Sequence, residues 1–134
     1  MILHVVLFRP RKDLSAEARQ GLAEALAHAI DEISAIKRVR IGRRRTHGRP
    51  YEQLMREDYT HAAVLEFEDL AALRAYLEHP THADLAARFL ECFEQALMYD
   101  FDVQDGHAGL TALIEAEGLG FADGTTPSRP VRHD

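Results

Sequence analysis

What most constrains this chain is the order in which its hydrophobic period switches between two residues and about 3.6. Residues 2–8 are nearly all apolar, with Ile2, Val5 and Val6 β-branched and His4 the single polar exception. That run reads as a buried strand, ended by Pro10 and Asp13. Leu22, Leu26, Ala29 and Ile33 then recur at helical spacing, predicting a helix over 15–34 capped by Asp13 or Ser15. Residues 37–45 alternate more weakly: Val39 and Ile41 share a side with Lys37, Arg43 and Arg45, which predicts an edge strand whose charges stay wet. Residues 47–59, with Gly48 and Pro50, form a polar loop with one helical turn. Over 60–68 the alternation is clear. His61, Ala63, Leu65 and Phe67 face one way, and Ala62, Val64, Glu66 and Glu68 the other. Asp69 caps a helix carrying Leu73, Tyr76 and Leu77; Pro80 interrupts it and opens a second helical segment to about Gln95. Leu97, Tyr99, Phe101 and Val103 alternate with Met98, Asp100 and Asp102 in a last strand.

The order β-α-β-β-α-β is the split βαβ, ferredoxin-like α+β pattern with a four-stranded antiparallel sheet. In this reading the first and third strands are central, adjacent and parallel. Helices on one side leave the other sheet face open. Val5, Leu7, Val64 and either Met98 or Tyr99 are its expected apolar residues, and a symmetric copy is their expected cover. Beyond Val103 the composition shifts: five of the eight glycines lie in 104–134, with Pro127 and Pro130. The chain therefore reads as a domain over 1–103 and an extension over 104–134, with a short helix over 110–116 and a flexible tail from about Gly118.

A chain of 134 residues with 46% hydrophobic and 28% charged residues has the composition of one soluble domain. Its net charge of −6 argues against a nucleic-acid partner, and no apolar run is long enough for a membrane helix. The apolar start is too short for a secretory signal and is followed, not preceded, by Arg9, Arg11 and Lys12. The single cysteine, Cys92, cannot form an internal disulfide, and among Phe89, Leu90 and Phe93 it reads as a small core residue. A cytoplasmic location is the expectation. Seven bases and no acid fall in 37–49, leaving 9 bases and 22 acids elsewhere. A solvated edge strand, or pairing with the acidic remainder, is favoured over an anion site for a phosphorylated carrier.

The chemistry rests on a few polar residues among apolar ones. With parallel central strands, His4 and His61 would lie at the same end of the sheet. The helix after Asp69 returns about 20 Å by His82, at roughly 1.5 Å per residue, bringing Tyr76, His79 and His82 to that end. The expected result is a cluster of imidazoles and a phenol at one end of an apolar pocket. Such groups supply a base near neutral pH and a hydroxyl donor for a carbonyl that becomes an oxyanion, with no cofactor or metal required. The bland alternative makes His4 and His61 hydrogen-bonded core residues, Tyr76 a packing residue and His79 a helix cap. A metal held by His79 and His82 at i,i+3 is disfavoured by Pro80 between them and by the lack of an obvious carboxylate.

Met-Ile-x-His-x-Val-Leu-Phe with His4, Tyr59-Thr-His61, and Ala75-Tyr76-Leu-Glu-His79-Pro80-Thr-His82 together resemble the stress-responsive α/β-barrel (Dabb) family over about 1–103. The resemblance implies ferredoxin-like protomers that pair sheet to sheet as dimeric α+β barrels. One plant member is a polyketide cyclase that performs an intramolecular aldol condensation. Carried over by motif, its catalytic pair falls on Tyr76 and His82, and its pocket histidines on His4 and His61; His79 is added as a binding residue. The loop over 43–59 and the extension after Val103 depart from the family pattern. The implied function is a homodimer binding a small apolar carbonyl compound, as a cofactor-independent cyclase or lyase. A non-catalytic stress or ligand-binding homodimer is the alternative, and a cofactor-independent monooxygenase fits the His-Pro-x-His element less well.

Overall fold

The computed structural model describes residues 1–121. Strand β1 spans Ile2–Pro10, helix α1 Ala16–Glu32, β2 Arg38–Arg43, β3 His61–Phe67, α2 Leu70–Glu78, α3 Pro80–Cys92, β4 Phe93–Asp102 and α4 Gly106–Phe121, with a 3₁₀ turn at Pro50–Leu54 between β2 and β3. Local chemistry sets the helix starts. Ser15 accepts a hydrogen bond from the Ala18 N–H at 3.0 Å, and Asp69 accepts one from Ala72 at 2.9 Å. At the α2–α3 break the His79 ring takes the cap role, with Nδ1 accepting from the Thr81 N–H at 3.1 Å, and Pro80 occupies the first helical turn.

The strands form one antiparallel sheet in the order β2-β3-β1-β4. This corrects the expectation that β1 and β3 run parallel. The α1 crossover makes β2 parallel to β1, and β3, inserted between them, must oppose both. The second correction is at the α3–β4 junction. The helix ends at Cys92, and the strand starts at Phe93 rather than Leu97. Pairing of Pro10 with Phe93, Arg9 with Gln95 and Phe8 with Ala96 outcompetes another turn of helix.

Alternation along β1 and β3 decides the core. Ile2, His4, Val6 and Phe8, with Ala63, Leu65 and Phe67, are buried beneath the helices, while Leu3, Val5, Leu7 and Val64 turn to the other face and are only half-buried. Ala25, Ala29, Ile33, Leu73, Tyr76 and Leu85 complete the core from the helix side. Cys92 is buried, and burial together with Glu91 pushes its thiol pKa up, as befits a packing residue.

The chain divides into two compact units, Met1–Asp102 and Val103–Asp134. In the second, the helix expected over 110–116 is longer, and Leu110, Leu113 and Ile114 on it are exposed. The expected flexible tail lies, from residue 122 onward, outside the described residues. Among the described residues no helix is long and apolar enough to cross a membrane.

Candidate functional site

A pocket of about 260 Å³ opens between the sheet and the helices of the first unit. Its sheet side includes Val6, Phe8, Ala63 and Leu65, and its helix side Leu22, Leu26, Leu85 and Phe89. Against this apolar wall stand three polar side chains: His4, Tyr76 and His82. They form a contiguous group. The Tyr76 ring lies edge-on to His82 with centroids 4.6 Å apart and to His4 at 5.9 Å, and it rests on Phe67 at 5.2 Å. The α2–α3 break makes this possible. Six residues along an unbroken helix would point His82 about 120° away from Tyr76, whereas the turn at His79-Pro80 folds the two together.

Each polar group has a distinct electrostatic setting. Tyr76 is 4% exposed, and its burial pushes the phenol pKa up to about 12, so the hydroxyl stays protonated as a donor. Its hydroxyl makes no hydrogen bond to another described residue. Burial lowers the His82 pKa, and nearby His4 lowers it further, so His82 is neutral at pH 7. His4 is buried, and its Nδ1 lies 2.6 Å from Oδ1 of Asp100, its register partner on β4. A carboxylate can only accept, so Nδ1 carries the proton and donates. That bond fixes the ring and leaves Nε2 without a partner among the described residues.

Asp100 was not foreseen as part of the site. Its alternation with Met98 on one face of β4 was the one sequence signal, and the antiparallel β1–β4 register of the structure is what sets it opposite His4. His61 was expected at the same end as His4, and the structure separates them. In the antiparallel register His61 pairs with Phe8 and His4 with Leu65, four residues or about 13 Å apart along the strands. His61 stacks on Phe8 at 5.4 Å and accompanies Arg43, Arg44 and Tyr59 in a separate surface depression; burial and Arg43 both lower its pKa. His79 does not line the pocket, since its ring caps α3. Among the described residues no three His, Cys, Asp or Glu side chains converge as a metal site would require.

The sheet order, one-sided helix layer and apolar pocket define a ferredoxin-like α+β domain. Residues 2–103 match the model of the stress responsive A/B barrel domain, and the chain belongs to that family. A stress-response A/B barrel domain-containing protein of Arabidopsis thaliana is 25% identical over 100 residues, covering 75% of this chain and 87% of the relative. Olivetolic acid cyclase of Cannabis sativa is 20% identical over 100 residues, covering 75% and 94%. Among solved structures, a dimeric ferredoxin-like protein of unknown function from Jannaschia sp. aligns with a TM-score of 0.59 at 25% identity, covering 76% of this chain and 98% of that one.

Proposed function

We propose that the protein is a homodimer whose pocket binds a small, mostly apolar carbonyl compound and acts on it by cofactor-independent acid–base chemistry, as a cyclase or lyase would. One observation carries the reading. Tyr76, His82 and His4 each present to an otherwise apolar pocket a polar atom that has no hydrogen-bond partner among the described residues. No polar side-chain atom among the described residues is sealed from solvent without a partner, so these three atoms are reached through the pocket, and a small ligand entering that apolar space finds all its polar contacts gathered in one place. In the proposed roles Tyr76 donates to the carbonyl oxygen, and neutral His82 takes the adjacent acidic proton. His4, oriented by Asp100, offers Nε2 to the same ligand. The likeness to a cyclase and the family membership support the reading without specifying a substrate.

Dimerisation is supported by the half-buried apolar residues Leu3, Val5, Leu7 and Val64 on the open sheet face, and by the description of the Jannaschia relative as dimeric. The extension over 104–134 is taken as an accessory to the domain over 1–103, and a cytoplasmic setting suits an unpaired Cys92. The test is a thermal-shift screen of neutral carbonyl compounds, followed by crystal soaks and assay of the hits. A hit whose carbonyl sits on Tyr76 and is turned over supports the enzyme. A hit that binds there unchanged makes the protein a non-catalytic binder. Hits that bind away from the three groups overturn the site.

A further inference from the structure

The basic character of β2 is not used by the pocket, and the register shows where it goes. Four rows cross the open sheet face. Arg38, Glu66, Leu3 and Phe101 form the first row; Arg40, Val64, Val5 and Tyr99 the second; Gly42, Ala62, Leu7 and Leu97 the third. Arg44, Thr60, Arg9 and Gln95 continue this sequence at the end of the sheet. One edge of the face therefore carries guanidinium groups and the other carries aromatic rings. Tyr99 and Phe101 are 47% and 50% exposed, with ring centroids 6.1 Å apart. Arg38 makes no ion pair among the described residues, and Arg40 only approaches Glu66 at 3.9 Å while staying largely exposed.

Two copies packed open face to open face are related by a two-fold axis between the sheets. An axis across the strands would lay β2 on the partner's β2, arginine edge on arginine edge, with like charges opposed. An axis along the strands lays the order β2-β3-β1-β4 on its reverse, so each row meets its own row. We propose that the dimer takes the second arrangement, with Arg38 and Arg40 of each copy seated on Phe101 and Tyr99 of the partner subunit. This inference rests on the dimer reading and goes beyond it by setting its orientation and its contacts. An arginine side chain spans much of the roughly 10 Å between packed sheets, and its guanidinium is attracted to an aromatic face. The third row fits as well. A Cβ added at Gly42 would meet nothing within 4 Å, so the glycine leaves a hollow opposite the partner's Leu97. By symmetry each contact occurs twice: Val5 closes on the partner's Val64 and Leu7 on the partner's Ala62, while Leu3 faces the partner's Glu66.

Two measurements on the full chain test this. In a Cys92→Ala background, Arg40→Cys protein and Tyr99→Cys protein are mixed, allowed to exchange subunits and treated with a short bismaleimide. The expected result is a covalent dimer in the mixture and little in either protein alone. Strong self-linking of Arg40→Cys would place β2 on β2 and overturn the orientation. Sedimentation equilibrium then follows Arg40→Ala, Tyr99→Leu and the double variant, with circular dichroism confirming that each is folded. Loss of two symmetry-related contacts is expected to weaken dimerisation about tenfold for either single variant, with little further loss in the double. Arg40→Lys and Tyr99→Phe should stay near wild type. Fully additive losses would overturn the cation–ring contact. A wild-type chain that is monomeric at every concentration would instead remove the dimer reading itself.

Discussion

Tyr76 shows how one residue can be structural by its ring and chemical by its hydroxyl. The ring packs on Phe67 and is buried, while the hydroxyl has no hydrogen-bond partner among the described residues to lose. Tyr76→Phe should therefore leave thermal stability within about 0.5 kcal/mol of wild type, because no hydrogen bond is broken. The same change should weaken a carbonyl ligand that the wild type binds, read by calorimetry on a screening hit. Equal affinity in both proteins would remove Tyr76 from the site. The pH dependence follows from His82 and His61, whose folded pKa values both lie below the unfolded value near 6.5. Below 6.5 the unfolded chain takes up protons that the folded chain refuses. Their stabilising contribution is thus full above pH 6.5 and declines as pH falls from there through the folded values. Melting temperature should fall between pH 7 and pH 5, and His82→Gln should flatten that slope. An unchanged slope would show that His82 is solvated. At this scale the sequence exposed the polar exceptions His4 and Tyr76 as residues out of keeping with their apolar surroundings. It concealed Asp100, because an aspartate on an edge strand looks solvated until its cross-strand partner is known.

Elements were legible wherever a local signal marks them. Ser15, Asp69 and His79-Pro80 are helix starts that side-chain chemistry dictates, and each caps the helix it announced. Removing the Asp69 cap by Asp69→Ala should cost about 1 kcal/mol, a drop of about 4–8 °C in a domain this size. Asp69→Asn, which keeps an acceptor oxygen, should recover most of it. Strand direction has no local signal. The β1, β3 and β4 patterns are the same read either way, and only the connections, a long crossover through α1 and a loop between β2 and β3, force β3 to oppose β1. That single non-local fact moves His61 from the pocket group to the far side of Phe8, which is why, of the expected convergence of His4, His61, Tyr76 and His82, three side chains meet. The start of β4 was obscured for a related reason. Phe93–Ala96 carries no breaker, and its strand state comes from pairing with Phe8, Arg9 and Pro10.

At the scale of the molecule the question is what the domain needs in order to fold. Every described buried residue, from Ile2 to Cys92, lies in the unit Met1–Asp102, and that unit closes its own sheet with β4. The described part of the second unit adds no buried residue, and α4 presents Leu110, Leu113 and Ile114 to solvent. A chain ending at Val103 should therefore melt cooperatively, and within a few degrees of the full chain, because stability follows buried apolar area and none of the described buried residues is removed. The comparison should be made at several protein concentrations. A dimer of the shortened chain should gain melting temperature with concentration, since mass action favours the associated folded state. If the shortened chain melts far lower than the full chain at every concentration, residues beyond 103 contribute to the fold. If the deficit appears only on dilution, the extension acts through the partner subunit.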